Sequence, residues 1–223
     1  SSRRRHTRWN CSSRGLGDVY KRQGVRDAVA ELLADAEHRG RQGAAVINNL
    51  LEFSGARVGQ KKLVDITQLL DHSLELASTM LSVSPHLSFS DIRVERDYAG
   101  DLPKVPCYAA ELQQVFLSLF RHCCHALGEA RRDRPTITVQ AHHFYDAMWL
   151  KVQHNGRGIN AEEQQYIFEP FYTDPSQSSN GDYDAGRRLS FPYFIITEQH
   201  RGQLAVTSDV EIGTTFHIQL LLE

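Results

Sequence analysis

The sequence predicts an α+β chain: a two-layer α/β sandwich, with a mixed sheet and its helices on one face, preceded by a long helix. Three observations predict it. An amphipathic helical stripe occupies residues 24–54. Helical and alternating segments then succeed one another from residue 63 to residue 199. The chain closes on two β-rich runs, 204–208 and 215–222. Interleaved helices and strands each have one apolar face to hide, and stacking them in two layers hides both. With 223 residues, 41% of them hydrophobic, the chain can bury a real core and suits one large domain with an extension.

Each element has its own signal. In residues 24–54, Val25, Val29, Leu32, Leu33 and Ala36 share a helical face, and Ala44, Ile47, Leu50 and Leu51 continue it beyond Gly40 and Gly43. Arg26, Asp27, Glu31, Glu37, Arg39 and Arg41 take the other side. Such a stripe needs a partner helix, from this chain or from another. Residues 63–83 read as a short extended lead-in and a helix built on Leu69, Leu70, Leu74, Leu76 and Leu81, ended by Pro85. Alternation over 87–98 predicts a strand, and 100–106 a turn-rich connection. Residues 109–130 form a helix burying Leu112, Val115, Phe116, Leu119 and Phe120. Strands follow at 136–142 and 148–153, the second with Trp149 expected in the core. A short helix covers 162–168, a polar loop 174–187, and a helix 189–199 that Pro192 either starts or kinks. The last two runs pair as a hairpin near Ile212 and Gly213.

Charge divides the chain. Residues 1–23 carry seven of its 25 Lys/Arg and one of its 27 acids, so 18 basic and 26 acidic residues remain. A body near -8 lacks the cationic surface that phosphate neutralisation requires, which excludes nucleic acid as a partner. The leader has no apolar segment of a secretory signal, and its DVYKRQ resembles a translated transposon adapter. Residues 1–23 are therefore expected to be a sequencing scar or a disordered leader, 24–60 a partial dimerisation helix, and 61–223 the main domain. No apolar run approaches the roughly 20 residues of a membrane span. Cys107, Cys123 and Cys124 have no CxxC spacing, which points to reduced thiols and a cytoplasmic location. His122-Cys123-Cys124-His125 invites a metal reading, but on a helix the cysteines diverge from the histidines, and about four ligands must converge on zinc.

Five phrases stand in order: ELQQVFLSLF from Glu111, VQHNGRGI from Val152, IFEPFYT from Ile167, AGRRLSFPYFIITEQHRGQL from Ala185 and GTTFHIQL from Gly213. Together they resemble the GHKL ATPase superfamily, and more narrowly the ATP-binding catalytic domain of sensor histidine kinases. The resemblance runs from residue 24 to 223, with 24–54 similar to the second helix of the dimerisation and phosphoacceptor hairpin. It implies ATP and magnesium as cofactors, a homodimer through the 24–54 helix, and a response-regulator receiver domain or a partner kinase as the docking partner.

The resemblance also places the site and shows where this sequence departs. The family's paired asparagines fall on Ser118 and His122, the second being the magnesium position. Magnesium needs hard oxygen ligands, which an imidazole replaces poorly. The aspartate that accepts from the adenine amino group falls on His154, while Gly156 and Gly158 of that turn persist. The glycine-rich phosphate loop falls on Gly186-Arg187-Arg188, where an arginine stands for the second glycine. Phe168 and Phe171 lie in a segment that, in the family, helps cover the nucleotide, and that reads equally as core packing; Thr215 belongs to the closing GTTF phrase. A phosphoacceptor histidine in its usual context is missing; His38 reads as a solvated helix residue. The expectation is a two-component signalling protein with a degenerate ATP site, a pseudokinase and dimerising scaffold. The alternatives are an active kinase with substituted contacts, and a decayed reading frame that still encodes a fold.

Overall fold

The computed structural model describes residues 60–81, 87–130, 132–169 and 189–222, with four helical positions further upstream. Those four, Val29, Leu32, Leu33 and Ala36, are helical and exposed, and all belong to the expected stripe. The rest of the 24–54 helix, His38, Pro85 and the 174–187 loop lie outside the described residues. The chain divides into two units at Ile47 and Asn48, and the sheet with its helices belongs to the second.

A short strand β1 (Lys62–Val64) leads into helix α1 (Ile66–Met80). Asp65 caps that helix, accepting from the backbone N–H of Thr67 at 3.0 Å and of Gln68 at 3.3 Å. Ile66, Leu70, Leu74 and Ala77 recur at helical spacing and are buried. The 87–98 segment is only partly the expected strand. Ser88 and Asp91 form a capping box around a 3₁₀ turn, Phe89–Asp91, and strand β2 is Arg93–Tyr98. The alternation is genuine, but Ser and Asp three residues apart compete for the backbone. The 100–106 connection likewise ends in a strand, β3 (Val105–Cys107), which pairs antiparallel with β1.

Helix α2 (Ala109–Ala130) has the expected bounds, and all five of its named apolar residues are fully buried. Strands β4 (Thr136–Phe144) and β5 (Ala147–His154) follow, then helix α3 (Ala161–Tyr166). Helix α4 (Ser190–Phe194) continues as a π turn, Ile195–Gln199. Pro192 is the third residue of α4, where a helix has no acceptor for a backbone N–H, so it starts the helix and does not break it. Strands β6 (Gln203–Asp209) and β7 (Gly213–Leu221) close the chain as an antiparallel hairpin. The five-stranded sheet has the order β2-β4-β5-β7-β6, with only the β2–β4 pair parallel, so the sheet is mixed.

One sheet face carries Ile137, Val139, Met148, Leu150, Val152, Phe216, Ile218 and Leu220, all buried in one core with α1, α2 and α4. The other face is open. Trp149, in register with His142 and Gln219, lies on it with 40% of its surface exposed, not in the core. Strand alternation decides this: Met148 and Leu150 point inward, so Trp149 points out.

Candidate functional site

The site residues that are described gather where α2 crosses the end of β5 and the loop after it. His122, on α2, is 6% exposed and His154, the last residue of β5, is 1% exposed. Their ring centroids are 5.6 Å apart, and the His122 ring also meets Phe216 edge-on at 5.1 Å. Both imidazoles face into the core. Ser118 lies one turn before His122, partly exposed.

His154 is fixed in one protonation state and one tautomer. Burial pushes its pKa down to about 4, so the ring is neutral at pH 7. The Gly156 N–H donates to Nδ1 at 3.1 Å, so the single ring proton sits on Nε2. That Nε2–H has no hydrogen-bond partner among the described residues.

The loop after β5 is the opposite case. Six consecutive backbone N–H groups are engaged within the protein. Asn155 donates to Thr136 O, Arg157 to Ala126 O and Gly158 to Val210 O. Gly156 donates to His154, Ile159 to Ser208 Oγ and Asn160 to Glu163 Oε2. The Asn155 side chain accepts from Thr136 N–H and donates to Arg134 O, both at 2.8 Å. The glycines serve packing: a Cβ on Gly156 would come 2.6 Å from the Ala126 carbonyl carbon, and one on Gly158 would overlap the Asp209 carbonyl. Through them this backbone approaches α2 and the β6–β7 turn closely.

Thr215 is in register with Gln153 and Thr207 on the open face. Thr214 is the residue beside His154: it pairs with it in register, is 1% exposed, and lies 2.7 Å from Ser208 Oγ through its hydroxyl. Counting in twos from Phe216 puts Thr214 on the covered face and Thr215 on the other. Phe168 is partly buried against the core and stacks on Tyr193 at 5.0 Å, while Leu189 N–H reaches Ile167 O at 3.4 Å. Phe171, Gly186, Arg187 and Arg188 lie outside the described residues.

Among the described residues no three His, Cys, Asp or Glu side chains converge as a metal would require. Cys123 and Cys124 are buried, with the Cys124 thiol pushed up to about 12 and that of Cys107 to about 11 by burial. His125 turns toward Glu129, 3.7 Å away. Neither His122 nor His154 offers the side-chain oxygen that the resemblance implies at these positions. The His122 ring is enclosed beside Phe216 and offers no oxygen to magnesium. His154 presents an N–H donor where the resemblance implies an acceptor.

A mixed sheet thus carries helices on one face, with a glycine turn wedged between its central strand and α2. The chain belongs to the family described as histidine kinase-, DNA gyrase B- and HSP90-like ATPases, whose model matches residues 107–223. It is similar to the sensor histidine kinase ZraS of Escherichia coli strain K12, 27% identical over 175 residues, covering 78% of this chain and 34% of ZraS. Its fold resembles the catalytic domain of the histidine kinase ThkA, with a TM-score of 0.60 at 19% identity, over 74% of this chain and 99% of that one. ThkA in complex with the response regulator protein TrrA is similar with a TM-score of 0.63 at 18% identity, over 83% and 48% of the two chains. The chain spans about a fifth to a third of the length of the first curated relatives it matches. No described helix is long and apolar enough to cross a membrane.

Proposed function

We propose that this chain is the catalytic-domain portion of a two-component histidine kinase whose nucleotide site is degenerate, and that it works as a pseudokinase scaffold. The observation that carries the reading is the inward-facing His122–His154 pair at the magnesium and adenine positions. Each lost or mispaired polar contact costs about 1–3 kcal/mol. Three departures, counting the arginines at 187–188, sum to roughly 3–9 kcal/mol, or about two to six powers of ten in affinity. Phosphoryl transfer needs the metal as well as the nucleotide, so turnover is negligible.

The scaffold role rests on two further supports. Val29, Leu32 and Leu33 are 48%, 68% and 65% exposed on a helical face that a second copy would cover. ThkA, which shares the fold, has been solved with a response regulator, so a receiver domain is the partner proposed here, in the cytoplasm. The test is phosphotransfer. With radioactive γ-phosphate, the chain is expected to leave a supplied dimerisation hairpin unlabelled while still co-eluting with a receiver domain. Labelling of a histidine in that hairpin would establish the active-kinase alternative instead.

A further inference from the structure

The same site has a feature that loss of function does not require: its buried hydrogen-bonding group has changed polarity. An aspartate at residue 154 would accept. The imidazole there donates, because Gly156 N–H occupies Nδ1 and leaves the proton on Nε2. The nearby polar groups do not absorb that donor. The Thr214 hydroxyl pairs with Ser208 and makes no hydrogen bond to the ring, and the loop contributes six N–H groups that could not accept in any case. The Nε2–H is therefore a buried donor without an acceptor among the described residues, at the position that reads as base-facing.

Adenine meets this group donor to donor through its 6-amino nitrogen. Guanine and hypoxanthine carry a carbonyl oxygen at the same carbon, which is an acceptor. We propose that the site of this chain selects a 6-oxopurine nucleotide over an adenine nucleotide, with His154 as its specificity-determining residue. The inference rests on the assignment of residue 154 to the base made under the proposed function, and it adds a ligand class to it. A site that buries one hydrogen-bonding group discriminates strongly between partners that satisfy it and partners that oppose it. Because Nε2 is buried, a base reaches it only with local rearrangement of the site. Binding is accordingly weak in absolute terms, and the preference is the readable quantity.

Two experiments test this. The first needs no ligand: long-range ¹H–¹⁵N spectra of the histidine-labelled chain, with His154 assigned from its loss in His154→Asn, should show the Nε2–H tautomer. An Nδ1–H tautomer, or a charged ring at pH 7, overturns the proposal. The second is titration of the full chain with ITP, GTP and ATP, each with magnesium, followed by isothermal calorimetry. ITP and GTP should bind at least roughly 10-fold more tightly than ATP, and His154→Asp should reverse the order. Equal affinities, no binding of any of the three at millimolar concentration, or an order unchanged in a folded His154→Asp chain each overturn it while leaving the scaffold reading intact. Micromolar ATP binding with hairpin labelling would instead remove the functional reading on which it rests.

Discussion

The loop after β5 and the two imidazoles beside it are neighbours in space and obey opposite rules. From Asn155 to Asn160 every backbone N–H has an acceptor inside the protein. One residue earlier, His154 buries a ring N–H with none among the described residues. The loop is ordinary folding chemistry, in which buried donors are satisfied by the chain itself. The histidine breaks that rule at the position proposed above to face the base. The glycines and asparagine that shape the turn hold the fold together, so altering them disrupts the domain. Under the proposed function, the side chains that would face a ligand can change while the walls remain.

The largest effect expected from this contrast is in the loop. Gly158→Ala forces a Cβ into the Asp209 carbonyl, and the chain should lose about 3 kcal/mol or more, read as a collapse of the urea midpoint or as insoluble expression. A midpoint within experimental scatter of the parent would show that the turn yields easily and weaken the contrast.

The next effect belongs to His154 and depends on pH. Its folded pKa of about 4 lies below the ordinary 6.5, so between those values the unfolded chain binds the extra proton. Stability from this group is therefore full above about pH 6.5 and falls by about 3 kcal/mol as the pH drops to about 4. Unfolding of the parent and of His154→Asn, compared at pH 7 and pH 4, should show the variant losing less by that amount. Burial lowers the His200 pKa too, so the variant keeps a residual acid slope.

Smaller effects sharpen the comparison. Asn155→Ala removes the side chain that joins Thr136 and Arg134, two bonds of 2.8 Å, and should cost about 2 kcal/mol at neutral pH in chemical denaturation. The two threonines should separate. Thr214→Val gives up the contact with Ser208 and should cost about 1 kcal/mol, while Thr215→Val on the open face should stay within about 0.5 kcal/mol. Equal costs for the two would mean that the face assignment does not govern them.

Much of this was legible in the sequence, for physical reasons. Ala109–Ala130 has a 3.6-residue apolar period sustained over six turns, so its bounds and its buried residues were readable. The β6–β7 hairpin and the π-ended helix after Leu189 carry local signals of the same kind. The misses share a cause, which is that local pattern does not name the neighbour. The Val105–Cys107 strand is three residues long and exists because β1 lies beside it. Trp149 points outward because Met148 and Leu150 point in, a matter of register that composition does not carry. His122 and His154 were readable as departures from a motif. That the two rings meet, and that Gly156 fixes the tautomer of one of them, required the crossing of α2 over β5.

The most direct measurement is a calorimetric titration of the purified chain with ATP and magnesium at pH 7. A degenerate site predicts no saturable heat in the micromolar range, and no rise in midpoint temperature that depends on magnesium. A micromolar, magnesium-dependent isotherm with one nucleotide per chain would contradict it, because it would mean that two buried imidazoles can do the work of an asparagine and an aspartate.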